Sequence, residues 1–286
     1  MVAVEKRYAL VTGASSGIGK DLSIELASRG IQVYACARRM DRLADLEQYG
    51  IEIIQLDVTN AQEVSRVREL IASKTNGKLD ILFNNAGIGC TSPAIEIANK
   101  DMRSCFEVNF FAAVNMTKEF SPLLINSKGC VAFTGSVAAD VPLPWGSIYG
   151  ASKAALKHYC KILTLEMRPF DVRVLHFSTG AVDTEIFEKF QSLPESSRYY
   201  CDATNNSLQI LGDQKRMDSK KYAAKVVNDI LNGTGSGQIY RGAGATTAYF
   251  LGLLPMPILN FVVTKVFKFD EVCKALKEKA KARFVE

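Results

Sequence analysis

Short apolar runs alternate with helix-spaced amphipathic stretches through the first two thirds of the chain. Tyr8 to Thr12 is an apolar run that enters a glycine-rich turn, and Lys20 to Arg29 carries apolar residues at helical spacing up to Gly30. The alternation continues. Gln32 to Ala37 and Ile51 to Leu56 read as strands, while Arg39 to Tyr49 and Ala61 to Lys74 read as helices. Further strands are expected at Leu79 to Asn84, Gly129 to Thr134, Val172 to Ser178 and Gln238 to Arg241. Helices are expected at Lys100 to Leu124, Ile148 to Arg168 and Lys220 to Leu231. Strands that alternate with helices imply a parallel sheet. The fold class is therefore α/β: a single Rossmann-type, doubly wound parallel sheet of about seven strands.

Two stretches break this rhythm. Residues 185–219 are polar, contain Pro194, Ser196, Ser197, Asn205 and Asn206, and show no sustained period, so they are expected to form a mobile lid. From Gly242 to Thr264 there is no charged residue, and Ala248 to Leu254 precedes Pro255 and Pro257. This run has the roughly 20 residues of a membrane span, but two central prolines suit a bent hairpin or interfacial helix better. Lys265 to Arg283 then supplies many cations. The expected division is a catalytic domain over 1–241, with its lid at 185–219, followed by a membrane-associating segment over 242–286.

Composition narrows the classes. The chain has 286 residues, 48% of them hydrophobic and 23% charged, which is enough for one large α/β domain and argues against disorder. The net charge of +5, with lysines gathered toward the C-terminus, suits an anionic membrane surface or an acidic substrate. No basic cluster interleaves with aromatics, so nucleic acid is not an expected partner. Seven scattered cysteines without a C-x-x-C pair read as reduced, mostly core residues. The two histidines, His158 and His176, neighbour no ligand-spaced cysteine or carboxylate; both read as packing residues, and no metal is expected. The charged N-terminus enters an apolar strand at once, leaving no room for a cleavable signal, so the catalytic domain is expected to face the cytosol.

The candidate chemistry is concentrated in three places. Tyr149 and Lys153 stand one helical turn apart, so the lysine can sit beneath the phenol and favour its ionised form. Ser136, thirteen positions before Tyr149, can offer a second hydrogen bond to the same reacting oxygen, which is what reducing a carbonyl requires. Gly13-Ala14-Ser15-Ser16-Gly17-Ile18-Gly19 follows a strand and opens a helix, where glycines and helix-start amides suit a dinucleotide pyrophosphate. The second strand ends in Arg38 and Arg39, where an NAD site would carry an acid; the basic pair favours the 2′-phosphate of NADPH, and with it the reductive direction. Asp57 and Val58 end the third strand, near the adenine. Asn85, Ala86 and Gly87 follow the fourth, near the adenosine ribose.

These elements in this order resemble the short-chain dehydrogenase/reductase family over about Tyr8 to Tyr240. By that resemblance Tyr149 is the proton donor, and Lys153 holds the nicotinamide ribose and lowers the tyrosine pKa. Ser136 orients the carbonyl, Asn109 supports the proton relay, and Val182 and Thr184 hold the carboxamide. The family usually has proline at the place of Thr179, so this turn departs from the pattern. Tyr34 to Arg39, Cys90 to Ala94, Phe133 to Ser136, Gly146 to Tyr149 and Tyr240 to Gly242 narrow the resemblance to a fungal branch. Its members reduce the ketone of an acylated dihydroxyacetone phosphate in glycerolipid synthesis, at endoplasmic reticulum and lipid-droplet surfaces. A lipid substrate agrees with the uncharged run, and Lys189, Arg198, Lys215 and Arg216 are candidates for its phosphate. A homo-oligomer is also implied. Three rivals stand beside this reading: a sterol or retinoid reductase, an idle scaffold, and a hydrolase using Ser15 in Gly13-Ala14-Ser15-Ser16-Gly17, which satisfies G-x-S-x-G.

Overall fold

The computed structural model describes residues 6–185, 192–233 and 235–283. Seven strands form one sheet in the order β3-β2-β1-β4-β5-β6-β7, with every neighbouring pair parallel. They are β1 (Tyr8–Thr12), β2 (Gln32–Ala37), β3 (Glu52–Gln55), β4 (Ile81–Asn84), β5 (Cys130–Thr134), β6 (Arg173–Thr179) and β7 (Gly237–Arg241). The central strands read as continuous apolar runs because helices cover both faces of the sheet. One face packs on α2 (Ala61–Lys74), α4 (Ala112–Ser127) and α5 (Ser147–Glu166), through residues such as Val67, Phe120 and Leu156. The other packs on α1 (Gly17–Ser28) and α7 (Ser219–Asn232), through Leu22, Leu26, Tyr222 and Val226. The strand order reverses between β1 and β4, and in such sheets ligands bind outside the carboxyl ends of the strands at that point.

Four expectations are revised. Arg39 to Tyr49 is not an α-helix: only Ala44–Tyr49 is helical, as a 3₁₀ segment that buries Leu46 and stops at left-handed Gly50. Lys100 to Leu124 is not a uniform helix. α3 (Asn99–Phe106) passes through a π-helical turn, Glu107–Phe111, before α4 begins. The region 185–219, expected to be irregular, holds the helix α6 (Asp202–Gly212). Its buried face includes Thr204 and Ser207 beside Leu208 and Leu211, and those two polar residues blur the apolar period. His158 lies on α5 as expected but is exposed rather than packed.

Beyond β7 the chain forms α8 (Ala245–Leu251), α9 (Met256–Val266) and α10 (Phe269–Arg283). Pro255 caps α9 and Pro257 lies in its first turn, where a missing amide hydrogen costs no helical bond. No helix among the described residues is long and apolar enough to cross a membrane. These helices pack against the rest of the fold. Phe267 and Val272 share a core with Trp145, Leu193, Leu208 and Leu211, while Ala248 and Leu259 pack with Val141.

Candidate active site

The glycine turn is shaped by close approach. Gly13 and Gly17 have left-handed backbones, and a Cβ on Gly19 would lie 2.3 Å from the Gly13 carbonyl oxygen and 2.4 Å from Asn85 Nδ2. The turn is tied to β4 by side chains: Thr12 Oγ1 accepts from the Asn85 and Ala86 amides at 3.0 and 3.1 Å, and Asn85 Nδ2 donates to the Thr12 carbonyl at 3.0 Å. Thr134, at the end of β5, donates to Asn85 Oδ1 at 3.0 Å. Three strand ends are thereby locked together around one concavity.

The cradle fits a dinucleotide. Glycines keep the turn free of side-chain bulk, and Ser16 opens α1 without its side chain capping the helix, so the hydroxyl is not committed there. Arg38 and Arg39 are exposed at the end of β2, and among the described residues neither pairs with a carboxylate. Asp57 is already engaged, accepting from the Thr59 amide and hydroxyl at 3.0 and 2.7 Å, which shapes the turn after β3; Val58 is buried beside it. The segment after β6 returns over the glycine turn: the methyl of Thr184 lies 2.9 Å from where a Gly17 Cβ would sit, and Val182 is buried. Thr179 replaces the family's proline without opening the fold. It ends β6 as a buried residue, its hydroxyl 2.6 Å from Tyr222 Oη.

Beside this cradle, Ser136, Tyr149, Lys153 and Asn109 converge. Ser136 follows β5, and its hydroxyl accepts from the Ala138 amide at 3.1 Å, capping the turn Val137–Ala139. Tyr149 and Lys153 lie on the first two turns of α5. Gly150 between them brings the helix close: a Cβ there would lie 3.0 Å from the Ala138 carbonyl oxygen. Lys153 is buried, and its Nζ donates to the Thr134 carbonyl at 2.8 Å while standing 5.8 Å from the centre of the Tyr149 ring. Asn109 sits in the π-helical turn, a feature found often at functional sites. Its Oδ1 accepts from the Ile88 amide at 2.8 Å, and its Nδ2 donates to the Ile88 carbonyl at 3.0 Å and to Ser152 Oγ at 3.1 Å. Ser152 in turn donates to the Tyr149 carbonyl at 2.7 Å, so Asn109 is coupled to the backbone of the tyrosine. Sequence reasoning gave no role to Ser152 or Gly150, although both lie inside the Tyr149–Lys153 motif.

Electrostatics differ from the expectation in one respect. Burial lowers Lys153 to about 8, and burial also raises Tyr149, with a hydrogen bond from Ser136 opposing that rise. Desolvation is the largest influence on the phenol and outweighs the Ser136 hydrogen bond, so its surroundings favour the protonated form over the ionised one. A protonated phenol is the form that donates a proton.

The lid candidates are dispersed. Arg198 and Lys215 are exposed, Arg216 pairs with Asp183 at 3.6 Å and donates to the Gly212 carbonyl, and Lys189 lies outside the described residues. Ser197 Oγ and the Arg198 amide donate to Glu96 at 2.6 and 2.8 Å, fastening this segment to the loop after β4. For the hydrolase reading, neither histidine is hydrogen-bonded to Ser15 among the described residues. His176 is buried with its Nδ1 3.5 Å from Ser178, and burial lowers it to about 3, so it is a poor base. Four cysteines are buried, Cys90 and Cys201 are half-buried and Cys273 is exposed, and all are free. No cluster of metal-ligating side chains occurs among the described residues.

Comparison with known proteins agrees with this geometry. The model for short chain dehydrogenases matches residues 7–194. An NADPH-dependent 1-acyldihydroxyacetone phosphate reductase of Saccharomyces cerevisiae is 42% identical over 286 residues, covering 96% of each chain. A short-chain dehydrogenase of Penicillium ochrochloron is 40% identical, covering 92% of this chain and 98% of its own. Among solved structures, a short chain dehydrogenase from Burkholderia cenocepacia in complex with NADP superposes with a TM-score of 0.73 at 28% identity, over 91% of this chain and 98% of that one. One from Streptomyces avermitilis gives 0.77 at 25% identity, over 96% and 99%.

Proposed function

The chain belongs to the short chain dehydrogenase family, and from that premise we propose that it reduces the ketone of 1-acyldihydroxyacetone phosphate to 1-acylglycerol 3-phosphate with NADPH. The observation that carries the chemistry is the convergence of a half-buried Tyr149, Ser136 at the cap of its turn and a buried Lys153 beside a glycine cradle flanked by two unpaired arginines. NADPH supplies the hydride when bound. Arg38 and Arg39 hold its 2′-phosphate, the amides and hydroxyls of Ser15 to Gly19 its pyrophosphate, Asp57, Val58 and Asn85 to Gly87 the adenosine, and Val182 and Thr184 the carboxamide.

Tyr149 donates its proton to the carbonyl oxygen as negative charge builds there, and the Ser136 hydroxyl donates a second hydrogen bond to the same oxygen. Lys153 binds the ribose and its charge steadies the phenolate left after transfer. Asn109 holds the backbone around Ile88 and Ser152 in the arrangement that lets Tyr149 be recharged. The substrate assignment is supported by the Saccharomyces cerevisiae relative and by the apolar surface of α8 and α9. There Phe250, Leu253, Met256 and Phe261 are each more than 60% exposed, in a stretch without charge. That surface, with the lysines that follow it, attaches the enzyme to endoplasmic reticulum and lipid-droplet membranes, with the catalytic domain in the cytosol and the lipid ketone close to the site.

The test is NADPH oxidation by purified protein offered 1-acyldihydroxyacetone phosphate, a sterol ketone and retinal in parallel. Selective turnover of the first is expected; turnover of only the sterol or retinal would keep the chemistry and replace the substrate.

A further inference from the structure

The turn that carries Ser136 is gripped at both ends by one continuous line of polar side chains. At its far end stands Asp140, whose side chain is only 13% exposed. Asp140 Oδ1 accepts from Lys157 Nζ, and Oδ2 accepts from Tyr240 Oη at 3.2 Å. The Tyr240 hydroxyl accepts from Gln238 Nε2 at 2.7 Å, and the same amide nitrogen donates to Ser178 Oγ at 2.7 Å. Ser178 Oγ lies 3.5 Å from His176 Nδ1. The line ends under the near side of the turn, where a Cβ on Gly135 would lie 2.2 Å from His176 Nε2.

The direction of these bonds is fixed by chemistry. Carboxylate oxygens only accept and the Gln238 nitrogen only donates, so Tyr240 gives its proton to Asp140, and the Tyr240 and Ser178 hydroxyls both accept from the amide. An amide that donates both ways cannot pass a proton along, so the line is a brace and not a wire. Its anchors are well placed. Lys157 lies one turn beyond Lys153 on α5, so the pair with Asp140 ties the Ser136 turn to the helix that bears Tyr149. Behind Asp140 the chain is closed by Gly252, whose added Cβ would lie 3.2 Å from Asp140 Cβ, and Tyr240 stacks edge-on against Tyr249 at 5.0 Å.

We infer that Asp140 and its partners Lys157 and Tyr240 are positioning residues that set the distance between the Ser136 and Tyr149 hydroxyls. The inference rests on the role given above to Ser136. Two hydroxyls that must meet one oxygen tolerate little misplacement; Gly150 packs α5 against the Ala138 carbonyl within the turn, and the Asp140–Lys157 pair ties the far end of the turn to the same helix.

The test is a double-mutant cycle. Asp140→Asn, Lys157→Met and Tyr240→Phe are each measured for kcat with 1-acyldihydroxyacetone phosphate and with a water-soluble aryl ketone, in the wild-type and in the Ser136→Ala background. NADPH affinity is read from nucleotide fluorescence, and folding from thermal melting. Asp140→Asn and Lys157→Met are expected to lower kcat about tenfold, the scale of one hydrogen bond to a charged group, while NADPH affinity stays within about twofold. In the Ser136→Ala background the same changes are expected to lower kcat by less than about twofold, because coupled residues are not additive. Tyr240→Phe removes a single hydroxyl and is expected to act in the same direction in a folded protein, so it decides the matter if the charge variants do not fold. Equal losses in both backgrounds, or a parallel loss of NADPH affinity, would overturn the brace while leaving the proposed reaction intact. An unchanged kcat in Ser136→Ala alone would instead overturn the role of Ser136, and the inference with it.

Discussion

The two flanks of the site are built by different means. On the nucleotide flank, the ends of β1 and β4 are held by backbone conformation and side-chain-to-backbone ties: left-handed Gly13 and Gly17, a Gly19 with no room for a Cβ, and Thr12 bonded to the Asn85 and Ala86 amides just after β4. On the substrate flank the same precision comes from packing between distant parts of the chain. Trp145, itself in a left-handed backbone, stacks edge-on against Tyr199 and lies 5.4 Å from Phe269, so the loop before α5, the segment before α6 and the last helix share one aromatic cluster. A glycine cradle accepts a cofactor common to many enzymes. An aromatic cluster assembled from three segments can change its shape without touching that cradle, which is how one fold serves many substrates.

The contrast can be tested in order of expected effect. Tyr149→Phe should lower turnover by about 10²- to 10⁴-fold, the usual contribution of a positioned acid, while NADPH titration remains unchanged; retained turnover would remove the chemistry from between the two flanks. Arg38→Ala should weaken NADPH by about 10- to 100-fold, the loss of a charge-assisted hydrogen bond, and leave NADH nearly unaffected. Equal weakening of both nucleotides would mean that the nucleotide flank does not read the 2′-phosphate.

On the other flank, Phe250→Asp combined with Phe261→Asp should reduce flotation with anionic liposomes by about tenfold or more, since each apolar side chain buried contributes about 1.5–3 kcal/mol. Turnover of a water-soluble ketone should not change. Undiminished flotation would separate the apolar ridge from membrane attachment.

The smallest effect concerns pH. Burial lowers Lys153 to about 8 from its ordinary 10.5, so the folded protein gives up that proton more readily than the unfolded chain. Between about 8 and 10.5 the unfolded state binds more protons, so this group's unfavourable contribution is present in full below pH 8 and is relieved as pH rises through that window. Activity should fall as pH rises through about 8, where the folded protein loses the ammonium. Lys153→Met should remove this group's part of the rise in melting temperature measured between pH 8 and 10; an identical slope in the variant would contradict the assignment.

Much of this was legible in the chain because its determinants are local. The apolar runs at Tyr8 to Thr12 and Gln32 to Ala37 match β1 and β2, and Ala61 to Lys74 matches α2 to the residue, with Asn60 capping it as that residue type does. The Tyr149–Lys153 spacing and the glycine loop could be placed for the same reason: both are patterns within one element and its flanking turn. α6 was missed because its inward face carries Thr204 and Ser207, which read as solvent-facing until Trp145, sixty-two positions away, donates to Ser207. The π-helical turn at Asn109 was missed because one extra residue in a helix leaves the apolar period almost unaltered.

The sequence by itself therefore determined the order of strands and helices, the glycine turn between β1 and α1 and the pairing of Tyr149 with Lys153 on one helix face, since each follows from backbone freedom, periodicity or short spacing. Only the tertiary structure decided the electrostatic state of Tyr149 and Lys153, because desolvation depends on what the rest of the chain packs around them. It alone joined Asp140 to Lys157 and Tyr240, and Trp145 to Phe269, contacts whose partners come from elements that sequence distance does not relate.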